Sequence, residues 1–214
     1  MGPWSSSPRE LRLLLSPTIS STQSLHLSKL LNPSKHLTAM SSRLPSLLGG
    51  QICIEWRVDA SDTNEKPMLR NFIRMAKNLR DADMAAMVNP NRIVIPGPIG
   101  KEGILLQCGY PLSKICTFRV RSHDPSRGFT RLDMARAALK IYDHIYEVEA
   151  KTMTERDDPI ILPYCTAPPR PISNGKYGIW GYDIQYLILE SIVYDDLTDT
   201  WNVVPCVECL GPPF

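Results

Sequence analysis

The sequence predicts an α+β fold, a small and mainly antiparallel sheet covered on one face by two amphipathic helices, behind an N-terminal extension. Three observations lead to it. Residues 115–121 alternate between apolar and polar side chains, residues 131–149 repeat apolar side chains at helical spacing, and residues 186–204 form two strand-like runs around a polar loop. With 214 residues, 43% of them hydrophobic, the chain is long enough to bury a core. The division expected is an extension over residues 1–48 and one α+β domain over residues 49–214.

The extension is rich in serine, leucine and proline and nearly free of acid. Within residues 1–50, Arg9, Arg12, Lys29, Lys35 and Arg43 face Glu10 alone, a balance of +4. Scattered cations and hydroxyls with few carboxylates read as an organelle transit peptide, which would place the protein in a mitochondrion or plastid. The alternatives are a disordered tail and a translation start at Met40, with a cytoplasmic location. The longest early apolar run, Leu13 to Leu15, is far short of a secretory core, and nothing approaches a membrane span. The overall charge of +2 therefore averages two unlike parts: 24 less 5 basic and 22 less 1 acidic residues leave 19 against 21 beyond the extension. A slightly acidic domain argues against a nucleic-acid footprint.

The domain opens with Ile52, Ile54, Trp56 and Val58 at strand spacing. Met68, Leu69, Phe72, Ile73, Ala76 and Leu79 then recur every three to four residues, which predicts a helix over 65–87 with Arg70, Arg74, Lys77 and Arg80 along its other side. Asn89-Pro90-Asn91 is a turn and Ile93-Val94-Ile95 a short strand. The glycine-rich stretch 96–103 does not bind phosphate on this reading, because Lys101 is followed by Glu102 rather than a hydroxyl residue and two prolines remove amides. Residues 104–108 make another strand.

The stretch 115–150 joins strand, turn and helix without a gap. Cys116, Phe118 and Val120 share one side, leaving Thr117, Arg119 and Arg121 on a wet, cationic one. Ser122 to Gly128 is dense in turn formers. Thr130 and Asp133 are spaced as a capping box, and Phe129 and Met134 as a hydrophobic staple, so the helix starts at 131. Beyond it, residues 159–163 form an edge segment between prolines, residues 166–177 a proline-rich spacer that also resembles an SH3- or WW-type ligand in composition, and 186–194 with 201–204 a hairpin. No lysine or arginine follows Lys176, whereas six acidic residues do.

Few residues point to chemistry. Ser122-His123-Asp124 are consecutive, and consecutive loop side chains diverge where a catalytic triad must converge. Cys206 and Cys209 have the spacing of a redox pair or half a zinc site, but no helix follows to activate the thiol and no second close pair completes a metal site. With six cysteines in all, the thiols read as mostly reduced and packed. The sequence therefore points to a non-enzymatic protein-interaction domain of unknown partner that needs no cofactor, with Arg119, Arg121, His123, Arg127 and Trp180 as candidate binding residues. Two competitors remain: a metal- or thiol-dependent protein using Cys206 and Cys209, and a binder of nucleic acid or anionic lipid through its basic face.

Overall fold

The computed structural model describes residues 52–60, 68–100, 102–152, 168, 170 and 172–208. The extension, the segment 159–163 and Cys209 lie outside them. The described fold is α+β, with mainly antiparallel sheets and two helices of more than one turn.

The main sheet has the order β1 (Cys53–Glu55), β9 (Leu187–Asp195), β10 (Thr200–Val207), β6 (Ile104–Cys108) and β7 (Cys116–Val120), with β4 (Ile73–Arg74) as a sixth strand that also pairs with β9. All pairings are antiparallel except β10 with β6, which is parallel in the register Trp201 to Leu106 and Val203 to Cys108. The C-terminal hairpin thus occupies the middle of the sheet, with strands from much earlier in the chain on both sides. Along β7 the expected alternation holds for Phe118 and Val120, which are buried, and for Arg119, which is exposed, while Cys116 and Thr117 are both half-buried; on β6 Leu106 and Cys108 are buried.

Helix α3 (Arg131–Glu149) covers that buried face. Its start is fixed as the sequence predicts. Asp133 N–H donates to Thr130 Oγ1 at 3.1 Å and Thr130 N–H donates back to Asp133 Oδ2 at 3.0 Å, so the box satisfies two otherwise orphaned donors. Phe129 and Met134, the staple positions, are both fully buried. The Tyr142 hydroxyl donates to the Tyr110 carbonyl at 2.6 Å and the Tyr146 hydroxyl to the Tyr182 carbonyl at 2.7 Å, tying one face of the helix to two adjoining loops.

The expected helix over 65–87 is not present as such. Residues of that stretch form β3 (Met68–Arg70), β4 and the shorter helix α1 (Lys77–Ala85), with Asn71 and Phe72 in a bend. Leu69, read as part of an apolar stripe, is 54% exposed, whereas Ile73 and Met75 are fully buried. The strand period of two wins here because Ile73 pairs with Leu189 and Met75 N–H donates to the Leu187 carbonyl at 2.9 Å. The buried side chain of α1 is a charged one, Asp83, which accepts from Arg74 N–H, Nε and Nη2 at 2.9, 2.9 and 2.6 Å.

Two further expectations change. The strand over 52–58 divides, so that Val58–Ala60 (β2) leaves the main sheet to pair with β3. The strand near 93, β5 (Ile93–Pro96), pairs outside the main sheet with β8 (Gly128–Thr130), the segment that leads directly into α3. One helical turn, α2 (Gly97–Gly100), follows β5, and its glycines serve packing. A Cβ on Gly97 would fall onto the Ser126 carbonyl, and one on Gly128, at φ +90°, onto the Ile95 carbonyl. No helix among the described residues is long and apolar enough to cross a membrane.

Candidate functional site: an arginine ridge

The turn at 88–92 is where four arginines from separate parts of the chain meet. Asn89 adopts φ +53°, a conformation asparagine tolerates, and the Arg92 N–H closes the turn on the Asn89 carbonyl at 3.1 Å. Val88 N–H donates to the Arg57 carbonyl at 2.7 Å, and Arg131 Nη1 donates to the Val88 carbonyl at 3.2 Å. Arg131 N–H donates to the Arg92 carbonyl at 2.9 Å, and Arg127 Nη2 to the Asn91 carbonyl at 3.2 Å. One short turn therefore gathers Arg57 from between β1 and β2, Arg92, Arg127 from the turn before β8, and Arg131 at the first position of α3.

Among the described residues none of these four arginines forms a salt bridge. Arg57, Arg92 and Arg127 are exposed and Arg131 is half-buried. Burial lowers the Arg131 pKa below its ordinary value, and the neighbouring Arg92 and Arg57 lower it further, with Glu55 opposing them. The buried Nε of Arg131 makes no hydrogen bond. Asp124, near Arg127, is occupied within its own turn: it accepts from the Ser126 hydroxyl at 2.6 Å, from Ser126 N–H at 3.0 Å and from Arg127 N–H at 3.3 Å, and these bonds hold its carboxyl below the usual range.

The candidate residues read from the sequence divide around this ridge. Arg121, His123 and Arg127 are exposed in and beside the turn after β7, and Arg119 is exposed on β7 itself. Of these, Arg127 joins the ridge. The Ser122 hydroxyl sits between the carbonyls of Asp124 and Gly128, so Ser122 and Asp124 both shape the turn rather than face His123. Arg70 and Arg74 turn toward Asp83 and leave the basic face expected of them. Trp180 is half-buried, its ring meeting the edge of Tyr110 at 5.2 Å between centroids. Near it, Arg170 stacks over the Tyr146 ring at 4.9 Å, its Nε 2.9 Å from Asp183 Oδ1 as an ion pair without linear hydrogen-bond geometry. Cys206 is exposed on β10. Among the described residues no group of three or more His, Cys, Asp or Glu side chains is arranged to hold a metal ion.

Sequence reasoning missed Arg57, Arg92 and Arg131, because nothing local marks arginines that only a tertiary turn unites. It also missed Glu149, which is fully buried at the end of α3. Its carboxylate accepts from Tyr177 N–H at 2.7 Å, Gly175 N–H at 3.2 Å and Thr152 Oγ1 at 3.2 Å. Burial alone would raise its pKa, but the bonds from Ser173, Tyr177, Thr152 and Gly178 outweigh burial and hold it below the ordinary glutamate value. A signal existed: position 149 lies on the same helical face as Ile145 and Tyr146, where a carboxylate is out of place unless it is bonded. Two concavities lie elsewhere, a groove of about 320 Å³ between α1 and α3 crossed by the Arg80–Asp143 pair, and one of about 240 Å³ lined by Cys53, Glu55, Asn71, Glu190 and Ser191. Comparison with protein-family models, with curated proteins and with solved structures returns no match.

Proposed function

We propose that this chain is a non-enzymatic interaction domain that docks an acidic protein segment along the ridge of Arg57, Arg92, Arg127 and Arg131. The observation that supports it is the gathering of three exposed arginines, Arg57, Arg92 and Arg127, at the turn that also holds Arg131, whose guanidinium Arg57 and Arg92 flank. Like charges held together cost free energy in the unbound chain, and a carboxylate placed among them relieves that repulsion while accepting paired N–H donors. A protein partner is favoured over nucleic acid because the cations form a short ridge on a slightly acidic domain. Phosphate chains demand a wider positive footprint.

The test uses a fluorescent oligo-glutamate peptide with the full chain. Binding should weaken steeply with salt, and Arg57→Glu with Arg92→Glu should reduce affinity about tenfold or more, corresponding to about 1.4 kcal/mol. Both residues are exposed, so the double variant should fold normally. Unchanged affinity in that variant would sink the reading. Tighter binding of a single-stranded oligonucleotide or of anionic vesicles, sensitive to the same substitutions, would replace the protein partner with that class.

A further inference from the structure

We propose that Cys108 and Cys116 form a redox-sensitive dithiol, converted by a peroxide to a cross-strand disulfide between β6 and β7. The two residues are direct partners in the antiparallel register of these strands. Directly opposed residues of such a pair have Cα atoms about 4.5–5.5 Å apart, inside the roughly 4.4–6.8 Å that a disulfide spans. Their side chains also leave the sheet on the same side, because opposed residues share a face. Both are free thiols.

The pair is asymmetric in access. Cys108 is fully buried, and burial pushes its thiol pKa up, with the neighbouring Tyr142 opposing that only in part. Cys116 is half-exposed at the edge strand, its Sγ 3.3 Å from the Lys114 carbonyl; burial raises its thiol pKa above the ordinary value, Lys176 and Lys114 offset this only in part and Glu149 adds to it, so access rather than acidity sets it apart from Cys108. Cys116 is therefore the entry point. Its thiolate attacks the peroxide O–O bond, giving a sulfenic acid and releasing hydroxide, which takes up the thiol's proton as water. The Cys108 sulfur then displaces the sulfenic oxygen, the S–S bond forms, and the Cys108 proton leaves with that oxygen as a second water. Two electrons pass from the thiols to the peroxide in all.

The product closes the loop 109–115. That loop meets residues 178–180 through Ser113 N–H to the Gly178 carbonyl at 2.7 Å and Trp180 N–H to the Pro111 carbonyl at 2.9 Å. Oxidation thus fixes the surface that carries Tyr110 and Trp180.

The experiment treats the reduced full chain with hydrogen peroxide, blocks remaining thiols and maps tryptic peptides without reduction. Peptides 102–114 and 115–119, each holding one of the two cysteines, should be recovered joined, with the loss of two hydrogens. Cys53→Ser and Cys206→Ser, both at exposed positions, should leave the linkage unchanged. Cys116→Ser should leave Cys108 reduced and reactive only after denaturation. Linkage of Cys116 to any other cysteine, or Cys116 oxidised to sulfinic acid while Cys108 remains alkylatable, would overturn the assignment.

Discussion

Glu149 shows how one buried carboxylate can hold a loop in place. It stands at the C-terminal end of α3, where the helix dipole disfavours an anion, and yet it gathers backbone donors from Gly175 and Tyr177. The helix and the 173–178 loop are thereby fastened at one point. Because its folded pKa is depressed, the unfolded chain binds more protons in the acid range, so its stabilisation is complete above the ordinary glutamate value, near 4.3, and is lost as pH falls through the lower folded value. Glu149→Gln should cost about 2–3 kcal/mol at neutral pH. Urea midpoints of both proteins should converge at acid pH, and a constant gap would exclude the linkage. The residue scale was the least legible in the sequence. Arg127 could be picked out from its turn, whereas Arg57, Arg92 and Arg131 acquire meaning only when residues 88–92 bring them together.

At the scale of elements, local chemistry was legible wherever a single period and a cap agreed. Helix α3 has both, and the reciprocal bonds of Thr130 and Asp133 start it where the sequence places it. Thr130→Ala should lower stability by about 1 kcal/mol, read as a shift in urea midpoint. An unchanged midpoint would mean that the Phe129 and Met134 positions alone define the start. The segment 65–87 lacks that agreement. Helical spacing through Met68, Leu69, Phe72 and Ile73 competes with the strand spacing of Ile73 and Met75, and the free edge of β9 decides for the strand. Helix α1 is left short, with no side-chain cap at Ala76, and is held by the Asp83 bonds to Arg74. Propensity yields to a tertiary partner there, as it commonly does in weakly capped segments.

For the whole molecule, the class was readable but the order of strands was not. Strand-like runs at 104, 115, 186 and 201 all find places in one sheet, yet nothing in their sequences states that β10 lies parallel to β6 or that β5 pairs with β8 instead. Sheet order is decided by which faces and edges can be covered together, a property of the assembled chain. It carries a clear expectation. A chain ending at residue 186 loses β9 and β10, and with them every main-sheet partner of β1 and β4 and one flank of β6. Such a truncation should show no cooperative thermal transition, whereas one ending at 208 should retain it; a cooperative melt in the shorter chain would contradict the central position of the hairpin.

That position also dictates a timetable. During synthesis β1, β4 and β6 leave the ribosome well before the hairpin strands that they flank, so β1, β4 and one edge of β6 wait unmated in a form prone to pair with the wrong neighbour. The keystone arrives after the strands it joins, so a nascent chain of this protein should lean on chaperones until β9 and β10 have emerged.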